Sequence, residues 1–164
     1  MQIIYLTIME NATDKSGGKF TIRVYGLLIN ERKEILLSDE FRYKTRMTKF
    51  PGGGLKFGEG PEDCLLREAI EEFGQPAEII SHFYTTGFFQ KAMFFENHQL
   101  ISIYYRIRLK DPPSFPVSGK PFDFDRETDG SQSFRWKSLE KLKISDLSFP
   151  VDQHVAGLII HPSR

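Results

Sequence analysis

Short apolar runs separated by polar turns make up most of the chain. Their β-branched and aromatic residues predict strands, because such side chains suit the alternating faces of a sheet. The predicted strands cover residues 20–29, 35–38, 78–89, 99–109 and 133–136. The first two flank a polar turn at residues 30–34 and are typical of a hairpin. An apolar run within residues 1–15 also resembles a strand, because it lacks the basic start and the cleavage site of a signal peptide.

Three segments have helical spacing instead, and the clearest is Pro61–Phe73. Pro61 suits the first helical position, which needs no N–H. Glu62 and Asp63 favour the positive end of the helix dipole, and Gly74 is a natural C-terminal stop. The other two are residues 138–142 and a C-terminal segment with the periodic positions Val151, Val155, Leu158 and Ile159. This mixture of strands and helices predicts an α/β protein.

The helix predicted at Pro61–Phe73 has two chemically different faces. At about 100° per residue, its apolar side chains share one face; they are Leu65, Leu66, Ala69, Ile70 and Phe73. Glu68, Glu71 and Glu72 share the opposite face. Like charges at this spacing cost an isolated helix about 0.2–0.5 kcal/mol per pair, which a solvated acidic face tolerates. That interpretation explains the glutamates but not the glycines at positions 52–54, 58 and 60.

A hard divalent cation explains both the glutamates and the glycines. Mg²⁺ takes oxygen ligands and is normally held by one or two carboxylates together with substrate phosphates. Glycines let the backbone approach a metal or a ligand at places where a Cβ would obstruct it. The pattern therefore predicts a site for Mg²⁺, or for Mn²⁺, between the glycine-rich turn and the acidic helix face.

Composition limits the class of protein. The chain has 164 residues, of which 40% are hydrophobic, and this predicts a single globular domain over residues 1–164. The formal net charge is +0 and the basic residues form no long block, which argues against a nucleic-acid partner and favours a small phosphorylated ligand. The single cysteine, and the lack of an apolar run of about 18 residues, predict a cytoplasmic protein without a disulfide or a membrane span.

One long segment, residues 111–132, has almost no periodicity and contains four prolines. Loops of this length within a compact domain are usually functional or disordered. Phe115, Phe122 and Phe124 alternate there with polar residues. One interpretation is a lid whose rings, Phe122 and Phe124 in particular, stack on a bound substrate. The other is an insertion that its phenylalanines hold against the core.

Residues 53–74 carry the most specific pattern in the chain. Gly53 is followed after five residues by Glu59 and, after seven more, by the run REAIEEFG at residues 67–74. This spacing resembles the Nudix box, the signature of the Nudix hydrolase superfamily. One position departs, because Gln75 stands where the box usually has an aliphatic residue. The resemblance implies the Nudix fold, a mixed β-sheet sandwiched between α-helices in an α/β/α sandwich.

The same resemblance implies an activity. Members of the superfamily hydrolyse a nucleoside diphosphate linked to another moiety and release a nucleotide and a phosphorylated remainder. The partner would then be a small molecule: a nucleoside triphosphate, a nucleotide sugar, a dinucleoside polyphosphate, or a nicotinamide or flavin dinucleotide. The side chains that discriminate among these classes lie outside the box, and no subfamily motif is recognised after Gly74. The resemblance also makes a homodimer plausible.

Motif position implies the roles of several residues. The catalytic set carried over in this way is Glu59, Arg67, Glu68, Glu71 and Glu72. The three glutamates of the helix would be metal ligands, with Glu72 the first choice and Glu68 next, and the backbone carbonyl of Gly53 would join them. Glu59 and Arg67 would support these ligands, because the family's arginine typically braces its glutamates.

No motif marks the remaining roles. A general base is expected from a downstream loop, where Glu127 or Asp129 is a candidate and Glu96 competes with them. Four basic residues are candidates for binding phosphate: Arg23, Arg46, Lys49 and Lys56. Lys56 is favoured because it lies inside the box.

Two functions of other classes are alternatives to hydrolysis. The Nudix fold also serves as a nucleotide sensor or regulator without catalysis, and the intact box argues against that function here. The scaffold also hosts isomerases of isoprenoid diphosphates, which recruit a cysteine outside the helix. The only cysteine in this chain, Cys64, lies within the helix.

Overall fold

A computed structural model describes residues 17–162. Its seven strands are β1 (Lys19–Leu28), β2 (Glu34–Arg42), β3 (Thr45–Lys49), β4 (Gly52–Gly54), β5 (Ala77–Thr85), β6 (His98–Leu109) and β7 (Ser131–Ser138). The helices are α1 (Pro61–Phe73) and α2 (Pro150–Ile160), with short 3-10 helices at Leu139–Lys141 and Ile144–Asp146. The strand expected within residues 1–15 lies outside the described residues.

The strands form two sheets. The larger sheet is mixed and has the order β4-β1-β6-β5, in which β1 and β6 are parallel and the other pairs are antiparallel. The smaller sheet is antiparallel and has the order β3-β2-β7. The predicted hairpin of β1 and β2 is wrong, because β4 and β6 occupy both edges of β1. Within residues 17–162, an isolated bridge between Ile29 and Ile35 joins the two segments, and the Asn30 N–H donates to the Glu34 carbonyl at 2.9 Å across the turn.

Helices α1 and α2 pack on opposite faces of β1, in the larger sheet. Alternate side chains of β1 point to opposite faces, as in any strand. Val24 packs in one core cluster with Leu65 and Phe73 of α1, and Tyr25 packs in a second cluster with Val155 of α2. The α/β/α sandwich that the sequence predicts is therefore confirmed.

The bounds of α1 agree with the sequence prediction, but its buried face does not. Leu66 and Ile70 are 37% and 51% exposed, whereas Cys64 is fully buried. The side chains that face the protein are Cys64, Leu65, Ala69 and Phe73, and Glu68 and Glu72 lie within the same arc of the helix. The prediction failed because it placed every apolar side chain on the core face and every carboxylate on the opposite face.

The segment before β7 is held against the core. Phe115 is buried and stacks on Phe73 with ring centroids 4.7 Å apart. Gln75, the residue that departs from the box, accepts hydrogen bonds from the N–H and the hydroxyl of Ser114 at 2.7 and 2.9 Å. These contacts favour the interpretation in which phenylalanine anchors the loop, at least at its beginning.

Three further sequence predictions can be compared with the structure. The strand predicted at residues 78–89 ends at Thr85. The C-terminal helical pattern is α2, and the turn predicted after Ser138 is a 3-10 helix. Across residues 17–162, neither helix has the length and apolar character that a bilayer span requires.

The corrected face of α1 is testable by paired substitutions. Phe73→Ala should lower the free energy of unfolding by about 3–5 kcal/mol, because it removes a ring that packs on Phe115 and Phe134. Ile70→Ala should lower it by less than about 1 kcal/mol, because that side chain is half exposed. Urea denaturation measures both, and equal losses would contradict the buried face described here.

Candidate active site

The glycine strand β4 runs so close to helix α1 and to strand β1 that a Cβ at two of its glycines would meet neighbouring atoms. A Cβ placed on Gly53 would lie 2.2 Å from the carboxyl carbon of Glu68. A Cβ on Gly52, whose φ is +137°, would lie 2.2 Å from the carbonyl oxygen of Val24. Gly52 is thus required by the backbone of β1, and a side chain at Gly53 would push the Glu68 carboxylate out of its place.

Glu72 is held by groups outside its own helix. It accepts the backbone N–H of Gly52 at 3.0 Å and the Nε2 amide of Gln132 at 2.8 Å. The ammonium nitrogen of Lys49 lies 4.0 Å from its Oε1. Burial raises the pKa of Glu72, and the positive charge of Lys49 opposes that rise.

Arg67 connects the acidic side chains to one another. It donates to Glu68 Oε1 at 2.6 Å, to Glu71 Oε2 at 3.0 Å and to the carbonyl oxygen of Gly54 at 3.1 Å. Both carboxylate oxygens of Glu59 also accept hydrogen bonds from the Arg67 guanidinium. These hydrogen bonds lower the pKa of Glu59 to about 2. The bracing contacts that the family resemblance implies are present.

The donor set suits a hard cation that is only partly enclosed by protein. Glu68 and Glu72 keep 14% and 12% of their side chains exposed, next to the Gly53 backbone. Glu71 is 52% exposed and pairs with Arg67 and Lys56. Residues 17–162 contain no group of three or more carboxylate, histidine or cysteine side chains arranged to hold a metal. Two carboxylates match Mg²⁺, which draws its other ligands from water and phosphate.

A cleft of about 330 Å³ opens over these groups. Gly52, Gly53, Gly54, Glu68 and Glu72 line it together with Arg23, Glu40 and Lys49. Its aromatic lining consists of Tyr25, Tyr43, Phe94, Phe95, Tyr104 and Phe149. Tyr25 and Tyr104 stack with ring centroids 5.1 Å apart. One part of the cleft is therefore lined by charged side chains, and a ring-rich part is lined by aromatic side chains.

Arg23 is a cleft cation without a carboxylate partner. Its Nε donates to the hydroxyl of Tyr25 at 2.7 Å, and no ion pair of Arg23 occurs within residues 17–162. Lys49, by contrast, is buried and paired with Glu40 at 2.9 Å. Of the basic residues considered from the sequence, Arg23 is thus the one most available to an anion in the cleft.

Two buried oxygens in the cleft lining have no hydrogen-bond partner among the described residues. They are Oδ2 of Asp152 and Oγ of Ser102. The other oxygen of Asp152 accepts the hydroxyl hydrogen of Tyr104 at 2.6 Å. Burial raises the pKa of Asp152 to about 7, against the opposing effect of that hydrogen bond.

Several predicted site residues lie away from the cleft lining. Glu127 pairs with Arg46 through Nε at 2.6 Å, and Asp129 accepts the backbone N–H of Tyr43 at 2.7 Å. The ring of Phe122 lies 5.4 Å from the Arg46 guanidinium, and its centroid lies 6.1 Å from that of Phe124. Glu59, Arg67 and Glu71 of the box are outside the lining. So are the candidate base and substrate contacts, which are Arg46, Lys56, Glu96, Phe122, Phe124, Glu127 and Asp129. Their proposed roles as base or substrate contacts stay predictions.

The sequence reasoning missed Glu40 and Asp152. Each is a carboxylate inside a segment that is otherwise apolar, in LLSDEF and in FPVDQHV respectively. A charge on a predicted core segment was the available signal, because charged residues are rarely buried without a partner. Neither position belongs to a motif, so the sequence did not connect them to the acidic helix.

Comparison with known proteins identifies the family. A family model described as NUDIX domain matches residues 19–156. The E. coli ORF135 protein in solution is similar in structure, with a TM-score of 0.64, 15% identity, and coverage of 91% of this chain and 98% of that one. A MutT protein from Methanosarcina mazei Go1 has a TM-score of 0.60 at 19% identity, with 87% and 94% covered.

A protein described as UDP-X diphosphatase has a TM-score of 0.57 at 15% identity, with 98% of this chain and 72% of that chain covered. At these identities the structural likenesses show a shared fold, and the family match shows membership. Because the match spans most of the chain, including the box, this protein belongs to the NUDIX domain family.

Proposed function

We propose that the protein uses Mg²⁺ or Mn²⁺ to hydrolyse the diphosphate linkage of a nucleoside diphosphate derivative, releasing a nucleotide and a phosphorylated remainder. One observation carries the proposal: Glu68 and Glu72 face into the protein across the glycine strand and line the same cleft as Arg23. A merely solvated acidic face would not require glycines against its carboxylates.

In this proposal Glu68 and Glu72 hold the metal, with the Gly53 carbonyl beside them and Glu71 at the exposed edge. When bound, a divalent ion neutralises charge on the diphosphate and lowers the pKa of a water that attacks phosphorus. Arg67 keeps Glu68 in place through its 2.6 Å hydrogen bond and is itself fixed by Glu59. The Gly52 N–H and Gln132 do the same for Glu72.

Arg23 is our candidate for binding the substrate phosphates. A guanidinium matches phosphate geometry and forms charge-assisted hydrogen bonds. Its single described hydrogen bond goes through Nε to Tyr25, so its terminal nitrogens are not engaged in an ion pair within residues 17–162. This proposal changes the preference stated from sequence, since Lys56 pairs with Glu71 outside the cleft lining.

The ring-rich part of the cleft suits one nucleobase. The half-buried Phe94 and the 47% exposed Phe95 offer apolar surface in the lining, whereas Tyr25 and Tyr104 are themselves buried. Asp152 and Ser102 have buried oxygens that lack a partner among the described residues. A buried polar atom without a partner is costly, and a base with polar edges would supply one. A volume of about 330 Å³ is at the lower end for ligand pockets, which favours substrates with one nucleoside over dinucleotides.

Metal-dependent hydrolysis across a panel of substrates tests this proposal. The panel contains nucleoside triphosphates, nucleotide sugars, dinucleoside polyphosphates, and nicotinamide and flavin dinucleotides, each incubated with Mg²⁺, with Mn²⁺, or with a chelator. Metal-dependent release of a nucleotide supports the proposal. Tight binding of a panel member without turnover would instead support the sensor function.

Glu72→Gln should lower kcat/KM at saturating Mg²⁺ by about 100-fold or more, because it removes a carboxylate charge from the metal-binding pair. The substrate is the panel member that the native protein hydrolyses fastest. Glu62→Gln is the matched control, since it alters an exposed glutamate of the same helix. Near-native turnover of Glu72→Gln would show that the ligand assignment is wrong.

Arg23→Gln should raise KM for the same substrate by about 10- to 100-fold, the equivalent of losing one or two charge-assisted hydrogen bonds. Arg108→Gln is the control, because Arg108 is an exposed arginine that pairs with Glu78 and does not line the cleft. If the KM values of the two variants match, phosphate is not bound by Arg23.

A further inference from the structure

A buried lysine lies between two carboxylates at the base of the cleft. Lys49 is buried, and its ammonium nitrogen is 2.9 Å from Glu40 Oε1 but 4.0 Å from Glu72 Oε1. It also donates to the carbonyl oxygen of Gly52 at 2.8 Å. The difference in distance means that Glu40 takes the hydrogen bond and Glu72 receives only the longer-range attraction.

Burial and hydrogen bonds hold the Glu40 carboxylate in this position. It is buried on β2 and accepts further hydrogen bonds at 3.2 Å from the hydroxyl of Ser38 and from Gln132 Nε2. The same Gln132 nitrogen donates to Glu72 at 2.8 Å. The two carboxylates thus share one amide donor and compete for one ammonium group.

An ammonium group that bonded to Glu72 directly would occupy the oxygen needed by a metal. A buried cation that loses its partner turns to the nearest available anion, because an unpaired charge in the interior is strongly unfavourable. For Lys49 without Glu40, that anion is Glu72. The 2.9 Å pair with Glu40 therefore determines whether Glu72 is free.

We propose that Glu40 is a positioning residue that holds the Lys49 ammonium away from Glu72 and so keeps Glu72 available to a divalent cation. This inference rests on the proposed metal-dependent function and adds a pair of residues outside the box to it.

The test is Mn²⁺ binding to the substrate-free protein, followed by isothermal titration calorimetry and by the electron paramagnetic resonance signal of free Mn²⁺. Glu40→Gln should weaken Mn²⁺ binding by about 10- to 100-fold, the range typical of groups that support metal ligands. Adding Lys49→Met to Glu40→Gln should return the affinity to within about threefold of native, because no ammonium group then competes for Glu72.

Glu34→Gln is the matched control, since it removes an ion pair with Arg32 at the other end of the same strand. Its Mn²⁺ affinity should equal that of the native protein. Should Glu40→Gln fail to fold, Glu40→Asp keeps the charge but shortens its reach, and a loss of several-fold is expected there. Circular dichroism and thermal unfolding check that each variant is folded.

Two results would overturn the inference. One is native-like Mn²⁺ binding by Glu40→Gln, or by Glu40→Asp where that variant is used instead. The other is a loss in Glu40→Gln that Lys49→Met does not reverse, which would show that Glu40 matters only for packing. If the native protein itself binds no Mn²⁺, the proposed metal-dependent function is wrong. That result differs from the two above, which concern only the role of Glu40 and require that the native protein binds Mn²⁺.

Discussion

The close contact between the carboxylates of α1 and the glycine backbone of β4 is the constraint on which this structure depends. Glu68 and Glu72 lie within the inward arc of the helix, beside Leu65, Ala69 and Phe73. Turning carboxylates toward a protein costs desolvation unless donors meet them. Gly53 leaves room for one carboxylate, and Arg67, Gln132 and the Gly52 N–H supply the donors.

The rest of the sandwich keeps that contact in place. Strand β1 pairs with β4 on one side and with β6 on the other, so the glycines of the edge strand β4 are hydrogen-bonded to an inner strand of the larger sheet. Alternate residues of β1 pack against α1 and α2, while Arg23 on the same strand lines the cleft. One strand thus joins the core, the glycine segment and the candidate phosphate site.

The box and its helix were predictable because local rules determine them. Pro61 begins α1, and Gly74 ends it with a φ of 66°, as expected from the conformational preferences of these two residues. The spacing of the motif positions at residues 53–74, which resembles the Nudix box, then indicated the Nudix fold. The phase of the helix was predicted wrongly, because which residues face inward depends on β4, and a sequence pattern alone does not show that strand's glycines receiving carboxylates.

The cleft was predictable only in part. Glu40, Lys49 and Asp152 come from β2, β3 and α2, and no spacing along the chain connects them. The hairpin predicted for β1 and β2 also hid the proximity of these three residues, because it placed β2 in the wrong sheet. Long-range packing brings these residues together, and it also holds Glu127 and Asp129 in contacts outside the cleft lining.

The most direct test is a crystal structure of the protein grown with Mn²⁺ and a methylene-bridged, non-hydrolysable nucleoside diphosphate. The account predicts an anomalous Mn²⁺ peak bound by carboxylate oxygens of Glu68 and Glu72, with the diphosphate in the same cleft beside Arg23. A Mn²⁺ peak at another place, or none beside these glutamates at saturating metal, would contradict the central claim.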